Sequence, residues 1–154
     1  MIKVQHEDFD IGAEVALLTD GNHSVGGLAC FVGLVRDMAG GDAIDTMTLE
    51  HYPGMTERQL EKIEAEALER WDLMGTVIIH RFGTLAPGDR IVMVAATSAH
   101  RQDALESCQF LIDWLKTKAP FWKLEATGKG EHWVDAREED RISEERWVTN
   151  GEKK

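Results

Sequence analysis

Three lysines, Lys116, Lys118 and Lys123, need a chemical explanation before anything else in this chain. They lie in LKTKAPFWK, on either side of Pro120 and beside Phe121 and Trp122. Cations near a helix C-terminus are favourable, because the last carbonyls of the helix point outward unpaired; that accounts for Lys116 and Lys118. It does not account for Lys123, which lies past the proline. A lysine held against aromatic rings loses hydration, which lowers its pKa toward use as a proton donor or acceptor. A second pair, His100 and Arg101, stands at the start of the same apolar-periodic segment. An arginine in a first helical turn opposes the helix dipole by some tenths of a kcal/mol, and a bound anion would reverse that sign. The bland alternative is a solvated surface pair.

Other chemistries fit less well. Six histidines invite a test for zinc, but no C-x-x-C, H-x-x-x-H or H-E-x-x-H spacing occurs, so no metal site is expected. No G-x-S-x-G is present, and Cys108 falls on the apolar face of its helix rather than at an activating N-terminus. Cys30 and Cys108 both sit in apolar runs, which predicts buried free thiols rather than a disulfide. The residues alone lead to an anion-binding enzyme, or an adaptor, with lysine chemistry.

The composition narrows the partner. A formal net charge of −11 argues against a nucleic-acid backbone, whose affinity comes from lysines and arginines neutralising phosphates. Against that background the Arg101 and Lys116/Lys118/Lys123 groups are local exceptions, suited to a small anionic substrate. No apolar run has the length to cross a bilayer, and MIKVQHEDFD lacks the layout of a secretion signal, so a cytoplasmic location is expected. At 154 residues, 43% hydrophobic, the chain is long enough for one domain with a real core.

The elements that must position these groups follow from periodicity. Ala104, Leu105, Cys108, Leu111, Ile112 and Leu115 recur at helical spacing over Thr97–Ala119, with Ser98 as a cap and Ala119-Pro120 as the stop. Ile2 to Val4 reads as a short strand and Asp10 caps a helix carrying Ile11, Val15 and Leu18. Leu28 to Val35 (LACFVGLV) reads as a buried strand, and Ile44 to His51 as the next. A capping-box pattern at Thr56-Glu57-Arg58-Gln59 opens a helix whose stripe is Met55, Leu60, Ile63, Ala67 and Trp71. Thr76–Arg81 and Arg90–Thr97 read as two strands joined through Ala86-Pro87-Gly88-Asp89, and Trp133-Val134 as a short last one, before a charged tail from about residue 138. Strands alternating with helices, some hairpin-joined, predict one α+β domain over 1–154 with a mixed sheet.

The strings LVRD (34–37), LEHYPGMTE (49–57), HRFGTLAPGD (80–89), TSAHR (97–101) and LKTKAPFWKLEA (115–126) together resemble the large, catalytic subunit family of molybdopterin synthase. The resemblance runs from about Leu28 to the Arg137 region. It implies an α/β-hammerhead type fold and sulfur transfer to cyclic pyranopterin monophosphate. The sulfur would come from the C-terminal glycine thiocarboxylate of a small ubiquitin-like subunit, giving a dithiolene. It implies a homodimer of this chain with one small subunit at each end, and no cofactor or metal. By the same resemblance Lys116 and Lys123 match catalytic positions. Leu34, Val35, Arg36, His100, Arg101, Leu124, Glu125 and Arg137 match substrate-binding or flanking ones. Lys118 stands where an arginine also serves. The main alternative is a non-catalytic adaptor that docks a ubiquitin-like sulfur carrier, and a second is a different phosphate-handling enzyme on the same scaffold.

Overall fold

Two strands are apolar on both faces and therefore have to lie in the middle. On β5 (Gly75–Arg81) and β7 (Arg90–Ser98), Val77, Ile79, Met93 and Ala95 point to one side and Ile78, Val92 and Val94 to the other. Strands of this kind need cover above and below. They form the centre of a four-stranded sheet ordered β1-β5-β7-β2, with β1 (Ile2–Gln5) and β2 (Gly27–Leu34) at the edges. The β1–β5 pair is parallel and the others antiparallel, so the sheet is mixed as the sequence suggests. Helix α1 (Ile11–Thr19), capped by Asp10 Oδ1 accepting from Ala13 N, covers one face with Ile11, Val15 and Leu18. Helices α2 (Met55–Arg70) and α3 (Arg101–Lys118) cover the other through Leu60, Ile63, Phe110 and Leu111. The structure is a computed structural model and describes residues 1–39, 42–134 and 138–151.

A second, antiparallel sheet packs beside the first. Its order is β3 (Met38–Ala39), β4 (Asp42–His51), β8 (Phe121–Thr127) and β9 (Gly130–Val134), with β6 (Gly83–Leu85) also pairing with β4. β6 ties the sheets together: it leaves β5 after Phe82 and pairs with Met47–Leu49 of β4. Gly83 makes that crossing at φ +93°, and a Cβ there would come within 2.7 Å of the His6 ring. Only glycine satisfies both constraints.

Several sequence expectations shift. LACFVGLV is an edge strand, not a buried one; Phe31 and Leu34 are exposed, and so is Cys30, leaving Cys108 as the buried thiol. Ser98 ends β7 instead of capping α3, and its hydroxyl donates to the Asp72 carbonyl. Helix α3 begins at Arg101 with His100 at the N-cap. Leu105 faces solvent, whereas Phe110, not anticipated, is fully buried. Helix α2 starts two residues earlier than the Thr56 pattern implies. The Glu57 carboxylate accepts from Gly54 N at 2.6 Å, while Thr56 is buried and donates to the Tyr52 carbonyl.

β3, β6, β8 and the final helix α4 (Glu138–Gly151) are additions to the sequence reading. α4 docks through Trp147, whose indole N–H donates to Asp113 Oδ2 at 2.7 Å and whose carbonyl accepts from Arg70 Nη1. Glu144 of α4 pairs with Lys118 at 2.9 Å, and the same ammonium lies 4.6 Å from the Trp114 ring centroid. Lys118 is thus committed to holding α4 on α3.

Candidate functional site

Pro120 is what brings the two key lysines together. α3 runs to Lys118; Ala119 is then extended (ψ 134°), as a residue before proline must be, and β8 starts at once with Phe121. Strand β8 pairs with β4 so that Lys123 lies opposite Leu49 and Glu125 opposite Met47. Directly opposed residues share a face of the sheet. Leu49 and Met47 are core residues, so Lys123 and Glu125 are aimed inward, toward the end of α3 that carries Lys116.

A cavity of about 440 Å³ lies where they meet. Its polar lining is Arg36, His80, Lys116, Lys123, Glu125 and Asp140, set among Leu34, Met47, Leu49, Leu115, Phe121 and Trp122. That volume falls within the roughly 300–1,000 Å³ typical of small-molecule sites. Three cations on a chain of net charge −11 make it a local well for an anion.

His80, to which the sequence motifs assign no role, also lines the cavity. It lies on the face of β5 that points toward α3, buried, with its ring stacked on Phe121 at 3.7 Å and 15°. Its Nδ1 is 2.8 Å from the Arg81 carbonyl. A carbonyl only accepts, so Nδ1 carries the hydrogen. Burial holds the imidazole pKa down at about 3; the carbonyl bond opposes this, and Lys116, Lys123 and His51 reinforce it. A histidine kept neutral in the fold but free to charge in the unfolded chain favours unfolding below the ordinary pKa of 6.5. Stability is therefore complete above that value and falls between 6.5 and 3 as the pH drops. From about pH 7 to about pH 5 this one group should cost about 2 kcal/mol. Urea titrations of wild type and His80→Phe at both pH values check it: the variant should lack that part of the loss. Equal pH slopes for the two chains would show that His80 charges freely.

The sequence-predicted residues divide into groups. Leu34, Arg36, Lys116, Lys123 and Glu125 line the one cavity. Val35 does not line it; it is buried in the core, its N–H donating to the Asp89 carbonyl. This fixes the backbone just before Arg36. Leu124 faces the opposite side of β8, across from Thr48 and Trp133. His100 and Arg101 are exposed at the far end of α3. The helix is continuous, so sixteen residues put them roughly 24 Å from Lys116. Arg137 lies outside the described residues.

A mixed-sheet α+β scaffold that gathers an arginine and two lysines in one small cavity defines a site for a compact anion with lysine chemistry at hand. The family described as "MoaE protein" matches residues 4–118, and the chain belongs to it. A relative from Ralstonia nicotianae, named "Molybdopterin synthase catalytic subunit", is 50% identical over 146 residues, spanning 95% of this chain and 83% of its own. A relative of the same name from Escherichia coli K12 is 49% identical, spanning 95% of this chain and 97% of its own. The solved structure described as "Molybdopterin biosynthesis MoaE protein from Burkholderia ambifaria MC40-6" superposes with a TM-score of 0.82 at 54% identity, over 96% of this chain and 97% of that one.

Proposed function

We propose that this chain is the catalytic subunit of a molybdopterin synthase: a sulfurtransferase that converts cyclic pyranopterin monophosphate into the molybdopterin dithiolene. The sulfur comes from the C-terminal glycine thiocarboxylate of a small ubiquitin-like subunit. The observation that carries this reading is the convergence of Lys116, Lys123 and Arg36 on a single cavity of substrate size. The name "catalytic subunit" borne by relatives about half identical to this chain supports the activity and the need for a second subunit.

The residues suit each demand of that chemistry. Arg36 offers paired N–H donors to the oxygens of a cyclic phosphate. Attack by the thiocarboxylate sulfur leaves the tail joined to the substrate as a thioester. Water then adds to its carbonyl, and an ammonium from Lys116 or Lys123 stabilises the oxyanion before the tail departs as a carboxylate. Opening of the phosphate ring and loss of the hydroxyl oxygen both require protons, which a lysine at the cavity can deliver. Incubating the chain with thiocarboxylated small subunit and cyclic pyranopterin monophosphate should yield dithiolene product. Tail binding without product would favour the adaptor reading instead.

A side reaction gives an independent mark of the tail's position. If the thiocarboxylate reaches Lys116, the neutral amine can attack its carbonyl and expel hydrosulfide, leaving an isopeptide bond. Mass spectrometry of co-expressed subunits should find that crosslink at Lys116. Crosslinks confined to the exposed Lys129 would place the tail elsewhere.

A further inference from the structure

Among the described side chains that line the cavity, His80 is the hydrogen-bond acceptor that is neither a cation nor a carboxylate. Among the described residues, His80 Nε2 has no hydrogen-bond partner, yet it is not one of the sealed unsatisfied atoms, which are Glu14 Oε2 and Trp114 Nε1. It therefore opens into the cavity that His80 lines. With Nδ1–H fixed on the Arg81 carbonyl, Nε2 presents a lone pair and nothing else. The ring cannot easily turn. It is clamped flat against Phe121, and Val4 and Val92 flank it on the neighbouring strands. Phe121 is itself backed by His51, whose ring centroid lies 5.7 Å away. His51 is held in turn: the Thr56 hydroxyl hydrogen goes to the Tyr52 carbonyl, so Thr56 Oγ1 must accept from His51 Nδ1. The stacked His80–Phe121 pair is thus fixed on the cavity wall, with His51 tilted behind Phe121 as its support.

The rest of the polar lining explains what such an acceptor is for. Arg36, Lys116 and Lys123 donate only, and they answer the oxygens of an anion. Glu125 and Asp140 accept, but as anions they are drawn to those cations. A planar heterocycle with N–H donors along its edge needs an acceptor that does not compete for the ammonium groups, beside a flat apolar surface. We propose that His80 is a substrate-contacting residue of this site, its Nε2 accepting a hydrogen bond from a ring N–H of the bound pterin. This rests on the function proposed above and adds the element that recognises the heterocycle rather than its phosphate. The low basicity of the ring, set by burial and by Lys116, Lys123 and His51, keeps the lone pair available across the working pH range.

The test separates this contact from the function itself. Imidazole ¹⁵N spectra of the wild-type chain should show His80 as the neutral Nδ1–H tautomer, and cyclic pyranopterin monophosphate should shift its Nε2 resonance in the direction of an accepted hydrogen bond. His80→Phe keeps a ring against Phe121 but removes the acceptor. It should weaken substrate binding roughly tenfold, the scale of one lost hydrogen bond, with kcat in the assembled synthase changed far less. His80→Gln, which can place an amide oxygen near Nε2, should recover part of that loss. If wild-type synthase makes product while Nε2 is unmoved by substrate, the contact is wrong and the function stands. An Nε2 signal that responds to Lys116→Ala or Lys123→Ala but not to substrate would assign His80 to a lysine and overturn the proposal. A wild-type synthase that yields no product removes the function and this contact together.

Discussion

Alanine at Lys116 or at Lys123 is expected to lower turnover about 10²-fold or more, the scale of a lost general acid–base or oxyanion-stabilising group. Folding should be nearly untouched, within about 1 kcal/mol. The two expectations have to be tested together, because a large activity loss is informative only in a chain that still folds. Lys116 is exposed at the last turn of α3, where its ammonium also gains a favourable charge–dipole interaction of some tenths of a kcal/mol. Lys123 is half-buried on β8, but its backbone pairing with Leu49 and Val134 does not depend on the side chain. Lys118→Ala supplies the contrast. Its ammonium pairs with Glu144 and lies over Trp114, so it should cost docking of α4 more than it costs chemistry. Single-turnover assays with thiocarboxylated partner, alongside thermal melts, read both quantities. A Lys116→Ala or Lys123→Ala chain that turns over like wild type loses the role given to that residue.

Why some of this was legible in the sequence and some was not comes down to which residues face inward. Pro120 is unambiguous, so the end of α3 and the proximity of Lys116 to Lys123 follow from the sequence. The double-sided apolar strands β5 and β7 are equally plain, because nothing else buries Val77 and Ile78 at once. β8 is hidden for a functional reason. Its inward positions include Lys123 and Glu125, so the in/out alternation that marks a strand is broken where the cavity needs charge. α4 is hidden because one buried tryptophan, Trp147, anchors an otherwise polar helix, too thin a stripe for periodicity to register. LACFVGLV misleads in the other direction. An unbroken apolar run reads as a strand covered on both faces, yet β2 is an edge strand with Phe31 and Leu34 open. His80 leaves a faint signal in the sequence: a titratable residue closing the apolar run Val77–Ile79 in a strand buried on both sides.

The distance along α3 sets the last expectation. His100 and Arg101 begin the helix that Lys116 nearly ends, and the separation of roughly 24 Å is about twice the length of a pterin monophosphate. One substrate molecule cannot span both ends within a single chain, and the cavity around Lys116 includes neither His100 nor Arg101. The family resemblance nevertheless assigns both ends to one site. A two-fold dimer would reconcile the two, if His100 and Arg101 of one protomer complete the pocket that holds Lys116 and Lys123 of its partner. Arg101→Ala and Lys116→Ala chains, each inactive alone, then become complementary. Where they pair, one site carries both lesions and the other carries none. Random reassortment makes about half the dimers mixed, each with one intact site of two, so activity should return to about a quarter of wild type. Native mass spectrometry establishes that subunits have exchanged. Exchange without recovery would place both residues in the service of a single chain, and the assignment of His100 and Arg101 to the substrate site would have to be given up.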